Sequence, residues 1–172
     1  EPKPKRTILV IDDSRPTLEL LQELFADRGF HVRAAESVAD ARIILNKCPE
    51  EIDLILSDIS MPRETGFDLL RWLKPQTIEI ASIPVILTTT QVPEPENRIL
   101  GLSLGAVDYV VRPIDLEELV LRVENAMDHH SEVENLRHSL ETQENLAVLG
   151  QALAATNHEI KNMVAIIAMS AS

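Results

Sequence analysis

The stretch DLILSDISMPRETGFDLLRWLK, residues 53–74, decides how the rest of the chain is read. It opens on a short apolar run, passes through a loop that begins with Asp58, and continues over 66–74 with apolar residues at helical spacing. A strand that is apolar along its length, rather than alternating, belongs in a sheet covered on both faces. Outward from this unit the same pattern repeats. TILVI (7–11), HVRAA (31–35), DLILS (53–57), PVILTT (84–89) and DYVV (108–111) read as strands, and 15–28, 37–47, 66–74 and 96–104 carry helical spacing between them. Strands that alternate with helices predict an α/β fold with a doubly wound parallel sheet. Right-handed crossovers leave few topologies for it.

The helix after the last strand is different in kind. Asp115 with Glu118 reads as a capping box after Pro113, and from Leu116 onward the chain has no proline and a single glycine, Gly150. A helix over 116–170 is roughly 80 Å long at the rise of an α-helix. Positions 146, 149, 153, 156, 160, 163 and 167 step by three and four and, except for Thr156, are apolar, which is the seam of a coiled coil or bundle. Val133, Leu136 and Leu140 form a similar seam upstream, and the two phases fail to join between Gln143 and Leu146, which alters the supercoil locally. A solitary solvated helix would expose many leucines, so a homodimer through this helix is expected.

The totals bound the function. A chain of 172 residues holds one ordinary domain and an appendage. Sixteen basic residues against 28 acidic ones, net charge -12 and pI about 4.8, argue against nucleic acid as a partner. Cys48 is the only cysteine, so no internal disulfide can form and a cytoplasmic setting is expected. MVAIIAM (163–169) is too short to span a bilayer, so no membrane partner is expected for this chain. The sequence starts at Glu1 and stops at Ser172 inside a helical pattern, as a piece of a longer protein would.

Carboxylates gather at strand ends: Asp12 and Asp13 follow the first strand and Asp58 the third. In an open doubly wound sheet these ends line the ligand crevice. Mutual repulsion there is relieved by a hard divalent cation with oxygen ligands, above all Mg²⁺. Each aspartate alone also reads as a loop or capping residue, as Asp53 and Asp68 do.

With ILVIDDS, DLILSDISMPRETGFDLLRWLK, IPVILTTT and GLSLGAVDYVVRP in this order, the chain from about 6 to 127 resembles the receiver domain of two-component response regulators. The resemblance implies a flavodoxin-like sheet of order 2-1-3-4-5, a receiver domain over 1–127, and a phosphoryl group accepted on Asp58. It implies Mg²⁺ held by Asp13, Asp58 and the Ser60 carbonyl, with Asp12 acting through water. It also implies a hydroxyl at the end of the fourth strand. Counting from Pro84 gives Thr89 and counting back from RILGLSLG gives Thr90; the strand register favours Thr89. Tyr109 is then the aromatic that turns inward as Thr89 bonds the phosphoryl group. Arg112 stands where the family has lysine, so the charge is kept while a planar fork replaces a point charge.

ENLAVLGQALAATNHEIKNMV, residues 144–164, resembles the first helix of the dimerisation and histidine-phosphotransfer domain of sensor histidine kinases. That resemblance implies a signalling helix over 128–172, His158 as the phosphorylated residue, Glu159 as its base, and Asn162 as the residue that orients water or phosphate. Met163 stands where that family has proline, which implies a straighter helix. His158 lies about 63 Å along a straight helix from Leu116, so transfer between His158 and Asp58 of one chain needs a break at Gly150 or a second molecule. No glycine-rich nucleotide site is visible, so the chain is not expected to use ATP on its own; an ATP-binding domain after Ser172 would mark it as a fragment of a histidine kinase.

The expected function is two-component phosphorelay signalling, with a cognate histidine kinase or phosphotransfer partner and a receiver that controls a kinase core. Two alternatives compete with it. One is a degenerate receiver that serves as a dimerisation and docking scaffold; the other is a metal-dependent phosphohydrolase built on the same aspartates.

Overall fold

The computed structural model describes residues 6–91 and 94–170, the side chains of 157–170 excepted. Strands β1 (Thr7–Ile11), β2 (His31–Ala35), β3 (Leu54–Asp58), β4 (Val85–Thr89) and β5 (Asp108–Val111) form one parallel sheet of order β2-β1-β3-β4-β5. Helices α1 (Arg15–Asp27), α2 (Val38–Lys47), α3 (Gly66–Leu73), α4 (Ile78–Ala81), α5 (Pro95–Ser103) and α6 (Leu116–Ser170) complete the elements, with a 3₁₀ turn at Pro49–Glu51. This is the doubly wound parallel sheet expected from the alternation of apolar runs and helical spacing, in the flavodoxin-like order implied by the resemblance to receiver domains.

Boundaries moved by a residue, and two elements were not legible in the sequence. The strand expected over 53–57 lies at Leu54–Asp58, so Asp58 is the last residue of β3 rather than the first of the loop. The single turns at Pro49–Glu51 and Ile78–Ala81 are too short to display a period.

Alternate residues of each strand feed opposite layers, the geometric consequence of a two-residue side-chain period. Leu9, Ile11, Ile55, Val85, Leu87 and Tyr109 pack with Ala41 and Leu45 of α2 and Leu69, Leu70 and Leu73 of α3. Ile8, Val10, Leu54, Leu56, Ile86 and Val110 pack on the other face with Leu18, Leu21 and Phe25 of α1 and Leu119, Val120, Val123 and Met127 of α6. Phe25 is fully buried and meets Phe30 edge to face at 6.0 Å between ring centroids. Each such side chain is worth about 1.5–3 kcal/mol on burial. The ion pairs Arg28–Glu117 and Arg6–Asp128 lie at the surface, where screening by water leaves little net gain. Apolar burial therefore decides how the start of α6 is docked.

Local signals account for the helix starts. Ser14 caps α1 by accepting Thr17 N–H, and Ser37 caps α2 by accepting Asp40 N–H. Thr65 and Asp68 form a reciprocal capping box at α3, so Asp68 has a defined task rather than being an ordinary loop residue. Asp53 likewise accepts the Thr7 N–H at 2.7 Å. At α6, Asp115 Oδ1 accepts the N–H groups of Glu117 and Glu118, while Glu118 Oε1 is taken by Arg122. Only the Asp115 half of the expected box forms among the described residues.

The chain divides into two compact units, Glu1–His130 and Ser131–Ser172. The second is helical through Gly150, with no interruption there. Val133, Leu136, Leu140, Leu146, Leu149 and Leu153 are all exposed in it. No helix among the described residues is long and apolar enough to cross a membrane.

Candidate functional site

Two strand ends bring the acidic residues together. β1 terminates at Ile11, which leaves Asp12 buried and Asp13 exposed, and β3 terminates on the buried Asp58. One carboxylate oxygen from each of Asp12, Asp13 and Asp58 lies within 4.8 Å of the others. The set fits Mg²⁺ in the chemistry of its donors, which are hard carboxylate oxygens. Asp12 also turns the chain into α1, since its Oδ1 accepts the Ser14 N–H at 2.9 Å.

Arg112, just past β5, reaches into the same cluster. Its Nη1 donates to Asp12 Oδ2 at 2.9 Å and its Nη2 to Asp58 Oδ1 at 2.7 Å. The Arg112 N–H is held by the Thr89 carbonyl at 2.6 Å, and the Arg112–Pro113 peptide is cis. Burial pushes the Asp58 carboxyl above the usual carboxylate range; Arg112 opposes this and the neighbouring Asp12 adds to it. Desolvation thus outweighs the attraction of the guanidinium.

Thr89 closes β4 and is buried, whereas Thr90 is exposed. Thr89 Oγ1 accepts the Gln91 N–H at 3.2 Å. It lines a cleft of about 300 Å³ with Ser60, Phe67, Glu94, Asn97 and Tyr109. Tyr109 is buried in the layer of α2 and α3, and burial raises its phenol above the ordinary value. Asp12, Asp13, Asp58 and Arg112 thus form one constellation, with Ser60, Thr89 and Tyr109 grouped in the cleft. The side chains of His158, Glu159 and Asn162 lie outside the described residues.

Three contributors escaped sequence reasoning. Gly66 opens α3 against the back of the phosphoacceptor candidate: a Cβ there would sit 2.7 Å from the Asp58 carbonyl oxygen and 3.2 Å from Ile59 Cα. Ser57 is fully buried, and its Oγ donates to the same carbonyl at 2.9 Å. Arg42 on α2 pairs with Glu64 at 2.7 Å and lies 5.4 Å from the centre of the Trp72 ring, bracing the loop after β3. A glycine directly after the capping Thr65 was the one available signal, and it marks a close backbone approach.

A doubly wound sheet with an acidic crevice at its strand ends and a cation reaching in from β5 defines a class of signalling domain, and the comparisons agree. The chain belongs to the response regulator receiver domain family, whose model matches residues 8–124. It is 38% identical over 118 residues to the transcriptional regulatory protein GltR of Pseudomonas aeruginosa, covering 69% of this chain and 47% of that one. Among solved structures, a response regulator receiver domain protein from Clostridium thermocellum is 29% identical with a TM-score of 0.68, covering 74% of this chain and 98% of that one. The signal receiver domain of a signal transduction histidine kinase from Syntrophus aciditrophicus is 30% identical with a TM-score of 0.65, covering 72% and 91%. The chain spans about half the length of the two transcriptional regulators GltR and TorR that it matches. As a receiver domain it is a component of two-component signalling.

Proposed function

We propose that this chain accepts a phosphoryl group on Asp58 and passes the change in its state to the helix that follows. The observation that carries this reading is the meeting of three carboxylates within 4.8 Å around a buried Asp58. Asp13, Asp58 and the Ser60 carbonyl would hold Mg²⁺, with Asp12 acting through a bound water. The metal would supply positive charge to the phosphoryl oxygens and relieve the repulsion among the aspartates. An Asp58 carboxylate oxygen attacks phosphorus in line, forming a P–O bond as the bond to the donor breaks, and the electron pair leaves with the donor. Thr89 donates its hydroxyl to a phosphoryl oxygen, and Arg112 contributes its positive charge.

In this reading residues 1–127 are the receiver and 128–172 a signalling helix that pairs with a second copy. Its exposed leucines support such pairing, because an apolar seam of that kind gains by burial against a like helix. His158, Glu159 and Asn162 would be the phosphoryl carrier, its base and its orienting amide in the kinase core that the receiver controls. The naming of the Syntrophus aciditrophicus relative as part of a histidine kinase supports that arrangement. The docking-scaffold alternative draws on a separate observation, the capture of Asp12 and Asp58 by Arg112.

Incubation with acetyl phosphate and Mg²⁺, followed by intact-mass measurement, separates the two. Wild type is expected to gain one phosphoryl group and Asp58→Asn none. Equal labelling of both would sink the assignment of Asp58, and labelling of neither would favour the scaffold.

A further inference from the structure

Arg112 does more than sit near the acidic cluster. Its two terminal nitrogens go to different carboxylates, so the planar fork spans the two buried members, Asp12 and Asp58. Asp12 is thereby engaged at both oxygens, one by Ser14 N–H and the other by Arg112. The Arg112 side chain is only 19% exposed, and its Nε is buried without a hydrogen-bond partner among the described residues. Its backbone N–H is fixed to the end of β4 through the Thr89 carbonyl. The residue is therefore anchored at its base and clamped at its tip.

We infer that Arg112 is a tethered counter-ion that holds the carboxylate pair of the metal-free chain, so that a divalent cation enters only when the guanidinium releases at least one of them. The inference rests on the proposed Mg²⁺ site and concerns what guards it. Charge alone does not carry the argument, because lysine has the same charge. A lysine is one compact ammonium on a flexible stem, whereas the fork of arginine makes two directional, charge-assisted hydrogen bonds to two partners at once. Both bonds are made on residues of the same cluster, and metal and guanidinium compete for the same negative charge. Once released, the guanidinium has donors available for an incoming phosphoryl group, including the Nε–H that has no partner in the clamped state.

The test measures Mg²⁺ binding directly by titration calorimetry on the full 172-residue chain, without any phosphodonor. Wild type, Arg112→Lys, Arg112→Ala and Asp58→Asn are compared, with circular dichroism to establish that each is folded. Arg112→Lys is expected to bind Mg²⁺ about tenfold more tightly than wild type, and Arg112→Ala at least as tightly as Arg112→Lys. In parallel, the ¹⁵Nε–Hε resonance of Arg112 in wild type is expected to move as Mg²⁺ is added. Affinities of wild type and Arg112→Lys within twofold of each other, or an unmoved resonance at saturation, overturn the clamp. If binding is lost in Asp58→Asn while Arg112 variants match wild type, the metal site stands and the clamp falls. If no variant binds Mg²⁺, both fall together.

Discussion

Replacing Gly66 by alanine places a methyl group where the structure has no room for one. The new Cβ would lie 2.7 Å from the Asp58 carbonyl oxygen, 3.0 Å from Leu87 Cδ2 and 3.2 Å from Ile59 Cα. Two of these three are backbone atoms, and the third belongs to a fully buried leucine. The strain has no cheap outlet. Overpacking of this kind costs about 1–3 kcal/mol. Removing a glycine from a helix returns up to about 1 kcal/mol in the interior and less at a first-turn position such as this. The net loss is then about 1–2 kcal/mol, or roughly 4–8 °C in Tm for a domain of this size. Because the displaced carbonyl belongs to Asp58 and also accepts from Ser57 Oγ, the carboxylate shifts with it. Slower phosphorylation of Asp58 should accompany the lost stability. Trp72, the only tryptophan, lies on α3 itself, so urea unfolding followed by its fluorescence reports on this region. A Gly66→Ala chain that melts within about 1 °C of wild type and is phosphorylated at the wild-type rate would refute the packing argument.

Asp68→Asn weakens the capping box at α3 and is expected to cost about 1 kcal/mol at neutral pH, measured by urea unfolding. Hydrogen bonds from the Thr65 N–H and hydroxyl hold the Asp68 carboxyl below its usual value. Its contribution is therefore present above the ordinary carboxylate range and lost as pH falls through the depressed value, so the gap between wild type and variant should shrink only in acid. A gap that is independent of pH would contradict this origin. Gly150→Ala meets nothing within 4 Å and should raise helix stability by about 0.5–1 kcal/mol, visible as greater helicity on heating. The proposed pairing through the helix predicts a dimer mass for wild type in sedimentation equilibrium and a monomer mass for Leu149→Asp with Leu153→Asp; equal masses for the two would remove these exposed leucines from any interface.

The succession of strands and helices, the doubly wound class and the gathering of Asp12, Asp13 and Asp58 at strand ends are legible in the order of residues alone. Those features arise from residues close together in the chain, where the two-residue and 3.6-residue periods of apolar side chains act directly. Contacts between residues far apart in the chain are visible only once it is folded. Arg112 reaches Asp12 and Asp58 from 100 and 54 residues away, so its clamp has no local signature and only its identity as arginine was visible beforehand. Thr89 lines the cleft while Thr90 is exposed, because one residue's shift along a strand turns a side chain from cleft to solvent. Gly66 read as an ordinary helix start until β3 was packed behind it, where its missing side chain makes room for the backbone of Asp58. Periodicity tells a chain which faces to bury; register and packing choose which atoms then meet.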